Sequence, residues 1–315
     1  MTDAVVFIHF GWSDYLRHSL GRASAAAAGR PVYLIGDRPP PALVQGVRFV
    51  PMDSLAPAWL RFTASYRHMS SQPYAAELRC WQRWWLLLAL QEREALRTVL
   101  HLDSDALLFS PPQAIAPPDL PHGYALCVPS WADDDLQWAA SGHCSIWSRD
   151  ALRSFCDFAT TIFEQPTTAE VLARKWAWHQ EHRLPGGVTD MSGLYLFWAG
   201  HGRPSSLTRA RLEGVVDDNL NTTSNFLRNE YLGGWRHKSL AFPESGGPRL
   251  MSTLGSSVPA QVLHCQGVAK PIMGYLAGPR PTSAGYEWRI SAIHGWYHAR
   301  GLAGQAARTF GLRRP

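Results

Sequence analysis

"TVLHLDSDALLF", residues 98–109, decides how the rest of the chain is read. Val99, Leu100 and Leu102 form a short apolar run of the kind that fills a buried strand, and Ala106 to Phe109 continue it. Between the two halves stand Asp103 and Asp105. A carboxylate beside a core is costly unless it is protonated, paired or bound to a cation. Side chains two apart at a strand end can face one pocket, so the pair reads as a site for a metal ion or a ligand. The blander alternative is a helix cap, or an ion pair with an arginine such as Arg83. "WADDDLQW" spaces Asp133 and Asp135 in the same way, but in a polar stretch with no apolar strand before it; that reads as a solvated loop.

Immediately upstream, "ELRCWQRWWLLLALQEREALR" (77–97) reads as one long helix, because Leu78, Trp81, Trp85, Leu88 and Ala89 recur at spacings of three and four. "VVFIHF" (5–10), "PVYLIGD" (31–37) and "GVRFVPM" (46–52) are candidate strands. "SDYLRHSLGRASAAAAGR" (13–30) is a helix with Ser13 as N-cap and Gly29 as stop. This β-α-β-α order predicts an α/β protein with a doubly wound sheet and ligands at the strand carboxyl ends, where Asp103 and Asp105 fall. The dinucleotide fingerprint GxGxxG is missing after the first strand, where "HFGWSDY" stands, and GxxxxGK[ST] is missing throughout. Dehydrogenase and P-loop readings lose most of their support. Further on, "YALCVPS" and "GHCSIWS" read as strands, 149–165 and 167–183 as helices, and a Pro/Gly-rich stretch, "FPESGGPRLMSTLGSSVP", separates these from a last strand, "AQVLHCQG". There is no internal repeat and no low-complexity linker.

Composition narrows the function classes. The 315 residues are 46% hydrophobic and 17% charged, as expected of a folded chain. Fourteen tryptophans either stack on sugar rings or fill a wide core. The net charge of +5 suits an anionic ligand such as a nucleotide, or acidic lipid, and does not point to nucleic acid: the only dense basic cluster is Arg308, Arg313 and Arg314. Five widely spaced cysteines without a CxxC pair indicate neither a zinc site nor a disulfide framework; they read as reduced thiols of a cytoplasmic protein. "MTDAVVFIHF" lacks a basic n-region, so no signal peptide is expected there, and the longest apolar run, Trp84 to Leu90, is too short to cross a bilayer.

A second segment, "VLHCQGVAKP" (262–271), sets His264, Gly267 and Lys270 in the pattern H-x-x-G-x-x-K after another apolar strand. A neutral imidazole can complete the coordination of a divalent cation already held by carboxylate oxygen. A glycine lets backbone approach a diphosphate, and a lysine can neutralise a phosphate oxygen as a point charge. Taken singly, His264 would be a structural histidine and Lys270 a surface lysine.

Together the two segments resemble the nucleotide-sugar glycosyltransferases of GT-A fold, the wider group that includes glycosyltransferase family 8. There an LDxD strand end and a late HxxGxxK segment share one metal and one nucleoside diphosphate. "CWQRWW", "SGHCSIW" and "GGVTDMSGLYLF" (186–197) agree in order, so that the resemblance covers most of residues 5 to 275. The chain departs from family 8 at Cys265 and Gln266, where an aromatic often follows the histidine, and at Ile272, where a tryptophan follows Lys-Pro.

The resemblance implies a Rossmann-like mixed sheet flanked by helices, with an elaborated C-terminal half. It implies one catalytic domain over 1–275, with a nucleotide-binding half (1–110) and an acceptor and metal half (111–275), and then a basic extension (276–315). Asp105 and His264 would bind the metal, and Asp103 the metal or the donor ribose. Lys270 and Gly267 would hold the diphosphate, while His9 and Phe10 would lie near nucleobase and ribose. Arg83 would face the donor sugar or anchor Asp103. Oxygen-rich ligation with one imidazole favours Mn²⁺ or Mg²⁺. Asp190 would be a general base or a donor-sugar contact; on residues alone it is an N-cap for the next helix. Asp217, Asp218 and Asn219 would bind acceptor or make a turn.

The activity expected is transfer of a sugar from a nucleoside-diphosphate sugar, UDP by family habit, to a hydroxyl on a glycan, glycolipid or small molecule. Two alternatives stand beside it. A nucleotidyltransferase would want a glycine-rich and basic loop after its first strand. A non-catalytic nucleotide- or carbohydrate-binding protein would keep every binding residue. The last segment, "GWYHARGLAGQAARTFGLRRP", is either a basic helix touching a membrane surface or a solvated terminal helix.

Overall fold

β1 (Ala4–His9) is apolar on both faces: Val5 and Phe7 enter one buried cluster, Ala4 and Val6 another. That double burial marks a central strand, and β1 lies between β2 (Val32–Gly36) and β4 (Thr98–Leu102), parallel to both. The computed structural model describes residues 2–309 apart from 43, 56–58, 118–119 and 235, without the side chains of 61 and 301–309. Arg313 and Arg314 therefore lie outside the described residues, as does the side chain of Arg308.

In chain order the first half runs β1, α1 (Leu16–Ala26), β2, β3 (Val47–Pro51), α2 (Leu60–Ser65), α3 (Tyr74–Arg93), β4 and β5 (Ala106–Leu108). Next come α4 (Pro112–Ile115), β6 (Tyr124–Cys127), β7 (Ser141–Ser148), α5 (Arg149–Thr161), α6 (Pro166–Glu181) and α7 (Asp190–Gly200). The remainder holds β8 (Val215–Val216), β9 (Gly233–Gly234), β10 (His237–Lys238), β11 (Leu240–Ala241), β12 (Arg249–Met251) and β13 (Ser257–His264). A 3-10 turn (Gly267–Ile272), α8 (Met273–Leu276) and α9 (Ser283–Thr309) close it.

The main sheet has the order β3-β2-β1-β4-β7-β6. β1 to β4 are parallel, and β7 runs antiparallel to both its neighbours, so the sheet is mixed. α1 covers one face; α2, α3, α5 and α7 cover the other. A second sheet, β11-β12-β13-β5 with β8 beside β13, forms the C-terminal part. Its core is shared by α9, whose Tyr286 and Ile290 are fully buried with Ile272, Met273 and Leu276.

Several expectations need correction. α1 starts at Leu16, not Ser13: the Leu16 N–H already folds back on the Ser13 carbonyl (2.9 Å), and no side chain caps the helix. It stops at Ala26, ahead of Ala28 and Gly29, which both take positive φ. The Pro/Gly-rich stretch is not a separator, since it contains β12, paired antiparallel with β13. Trp81, Trp84, Trp85, Trp138 and Trp147 are buried, so much of the tryptophan content fills core.

Candidate metal centre and its cavity

The chain changes sheets where the two acids stand. At the end of β4 the Asp103 N–H donates to the His143 carbonyl of β7 (2.7 Å), and the Ala106 N–H turns back onto the Asp103 carbonyl (3.0 Å). β5 then pairs antiparallel with β13, with His264 opposite Ala106. The Cys265 N–H donates to the Asp105 carbonyl (2.9 Å). Strand register thus carries His264 to a turn in a distant part of the sequence. One ligand atom each of Asp103, Asp105 and His264 lies within 4.8 Å of the others.

The imidazole is set for ligation. Its Nδ1–H donates to the Asp218 carbonyl (2.6 Å), which leaves Nε2, 3.5 Å from Asp105 Oδ1, facing the acids. Lys270 Nζ lies 3.2 Å from Asp105 Oδ2. Burial pushes the Asp105 carboxyl up, but His264 and Lys270 outweigh it and hold the group well below the usual carboxylate range. Burial lowers His264, while Asp105 raises it to about 9. Two carboxylates and an imidazole whose second nitrogen is fixed by a carbonyl are a donor set that fits a divalent cation.

Arg83 anchors Asp103, as expected, and also holds Asp190. Its Nη1 binds Asp103 Oδ1 (2.7 Å), while Nη2 and Nε bind Asp190 Oδ2 (2.5 and 3.0 Å). Trp84 Nε1 donates to the same Asp190 oxygen (3.1 Å). Asp190 is not the N-cap of α7: Thr189 caps it, in a reciprocal box with Ser192, and Asp190 is the first helical residue. Burial pushes the Asp190 carboxyl up against the pull of Arg83.

A cavity of about 500 Å³ opens beside this cluster, lined among others by His9, Phe10, Arg79, Arg83, Asp103, Asp105 and Lys270. His9 Nδ1 pairs with Ser104 Oγ (3.0 Å), and its buried Nε2 has no partner. The Arg79 guanidinium lies 5.1 Å from the Phe10 ring centre. Gly267 opens the 3-10 turn at φ +55, a conformation suited to glycine, but it is not among the cavity-lining residues. Neither is Asp190.

Arg79, Cys80 and Ala76 also line the cavity and were not anticipated; the signal was available, since Arg79 and Ala76 precede Arg83 by one and two helical turns. His143 lies in the "SGHCSIW" segment but was not singled out; its ring lies parallel to that of His264 at 4.1 Å and 5°. Asp217 was a candidate acceptor contact, but its carboxylate is fully buried against Lys238. Asn219 bonds Gln266 (2.8 Å). Asp133 and Asp135 stay outside the cluster: Asp133 meets Tyr195 and Arg203, and Asp135 accepts from Gln137.

No family model matches the chain, and no curated protein sequence matches it. Among solved structures it is similar to mouse xyloside xylosyltransferase 1 in its apo form, at 10% identity over 64% of this chain and 83% of that one, with a TM-score of 0.43. It is similar to the galactosyltransferase LgtC in complex with donor and acceptor sugar analogs at 13% identity, over 61% and 70% of the two chains, with a TM-score of 0.36. A glycosyltransferase involved in glycosylating the major capsid of PBCV-1 is similar at 15% identity, over 53% and 69%, with a TM-score of 0.32.

Proposed function

We propose that the chain is a GT-A-type glycosyltransferase that uses a divalent cation, Mn²⁺ or Mg²⁺, to move a sugar from a nucleoside-diphosphate donor, UDP-linked in the first instance, to a hydroxyl acceptor. The observation that carries this reading is the Asp103, Asp105 and His264 set within 4.8 Å, next to a cavity lined by the two aspartates, Lys270, Arg79 and Arg83. When bound, the cation supplies Lewis-acid neutralisation of charge on the leaving diphosphate. Asp103, Asp105 and His264 hold it.

In this reading Lys270 supplies a fixed positive charge for a phosphate oxygen, and the Gly267 turn sets where that lysine starts. His9 offers a buried ring nitrogen, and Phe10 an apolar ring, to the base and ribose. Arg83, clamped from two sides, presents its remaining edge to the donor sugar. Asp190 acts through Arg83, because its Oδ2 already accepts three hydrogen bonds. The acceptor belongs to the glycan, glycolipid or small-molecule class. Contact with acidic lipid belongs to the same reading, through Trp288, Arg289, Trp296 and Arg300 on the exposed side of α9. No helix among the described residues is long and apolar enough to cross a membrane.

The test is thermal unfolding with UDP, GDP, CDP and dTDP, each with and without Mn²⁺, on the wild-type chain and Asp105→Asn. A ligand at 100 times its Kd stabilises by about 2.7 kcal/mol, several degrees in Tm. The expected outcome is a Mn²⁺-dependent rise with one nucleotide, lost in the variant. A flat response to every nucleotide would sink the reading. Donor hydrolysis by the same sample then separates an enzyme from a binding protein of the same fold.

A further inference from the structure

Residues 217 to 220 wrap His264 more closely than a loop needs to. The Asp217 N–H donates to the Val262 carbonyl (3.0 Å), and the Leu220 N–H to the His264 carbonyl (3.0 Å). Asp217 Oδ2 accepts the His264 backbone N–H (3.1 Å), while the Asp218 carbonyl takes the imidazole Nδ1–H (2.6 Å). The Asp217 carbonyl accepts from His143 Nε2 (3.0 Å), and the His143 ring stacks on the His264 ring. His264 is therefore held at its backbone, at one ring nitrogen and on one ring face.

The Asp217 carboxylate is itself held by charge. Lys238 Nζ lies 2.7 Å from Asp217 Oδ1, both side chains are fully buried, and the ammonium also donates to the Asn219 carbonyl (2.7 Å). A buried ion pair is a poor way to gain stability, since two apolar residues of similar volume often do as well or better. What an apolar pair cannot offer is an oxygen for the His264 N–H.

We infer that the buried Asp217–Lys238 pair is a positioning device for the metal ligand His264, with Asp217 Oδ2 as its working atom. This rests on the metal reading above. Lys238 holds the carboxylate in place; the carboxylate holds the ligand's backbone; Asp218 and His143 fix the ring. Asp217 and Lys238 act only through His264 and touch no substrate.

The experiment is Mn²⁺ titration of the purified full chain without nucleotide, reading free Mn²⁺ by electron paramagnetic resonance. Two neutral replacements of the pair are compared, D217L/K238M and D217N/K238M, which differ in whether position 217 keeps an oxygen. Neither strands a buried charge, so both are expected to fold, checked by circular dichroism. The Leu form is expected to bind Mn²⁺ at least about tenfold more weakly than the Asn form, the usual effect of losing a ligand's supporting contact. In a His264→Ala background the two should bind alike. Equal affinities with His264 present would overturn the inference and leave the metal reading standing. So would a folded D217N/K238M that binds as weakly as His264→Ala, an outcome that can be read even if the Leu form does not fold. Wild type and His264→Ala binding alike, or neither binding, would remove the metal reading and this inference with it.

Discussion

Gly142 and Gly193 sit where two indoles press against backbone. A Cβ at Gly142 would lie 2.5 Å from the Trp84 ring, and one at Gly193 2.5 Å from the Trp81 ring. Both rings are fully buried, so neither can swing aside. Gly193→Ala is expected to lower stability by about 1–3 kcal/mol despite the better helix propensity of alanine, as measured by urea unfolding. Trp84 also donates to Asp190, so Gly142→Ala should in addition disturb the Arg83 anchor. At this scale the sequence was readable wherever a side chain had a chemical reason to be there. Residue type and spacing singled out Asp103, Asp105, His264 and Lys270, which the fold brings together. Asp190 was half-readable: its segment was singled out, but an acid at a helix start looks the same whether it caps the helix or binds an arginine from another element. Lys238 was not readable at all, because a lysine in a polar stretch gives no sign of being buried.

α3 shows what an element adds. Its apolar spacing predicts one buried stripe, yet Trp81, Trp84, Trp85, Leu86, Leu87 and Leu90 are buried nearly all round, since α2, α5, α7 and the sheet enclose it. Its polar residues then serve special ends. Glu77 is buried, accepts from Ser70 Oγ (3.2 Å), and leaves Oε1 without a partner. Burial, followed by the nearby Asp190 charge, pushes its carboxyl up to about 7, against 4.5 ordinarily. Between those values the folded chain binds more protons than the unfolded chain, so this group's contribution to stability falls as pH rises through the window. The slope is at most about 1.4 kcal/mol per pH unit. Glu77→Gln should abolish that component, seen as a stability difference from wild type that changes between pH 4.5 and 7 and is flat outside it. Strands β1, β2, β3, β4 and β7 were legible as apolar runs. β5 was legible only as a continuation of the β4 run, since its pairing with β13 is decided far away in sequence, and β12 was not legible, because three residues carry no measurable period.

For the molecule as a whole, the two larger sheets are joined at β5, and α9 packs into the core of the second. Ile290 is fully buried there, and Tyr286 Oη donates to the Lys238 carbonyl (2.7 Å). Ile290→Ala is expected to cost about 2–5 kcal/mol in denaturant unfolding. Fluorescence and circular dichroism midpoints should fall together if both sheets unfold as one unit; a lone early transition would show the C-terminal part melting by itself. The α/β class was legible because alternating strands and helices leave few arrangements. The second sheet was not, since its short strands are specified by burial against one another and not by local pattern.

The pairing of β5 with β13 also has a consequence in time. During synthesis Arg83 leaves the ribosome before Asp103, so that acid has a counter-ion available from the outset. Both cationic neighbours of Asp105, His264 and Lys270, come much later in the chain. Domains rich in such distant pairings close late, after their local helices have formed. Of the two aspartates, one is born beside its partner and the other waits. A nascent chain that has not yet delivered residue 264 carries an unanswered carboxylate at the very point where the finished protein gathers positive charge.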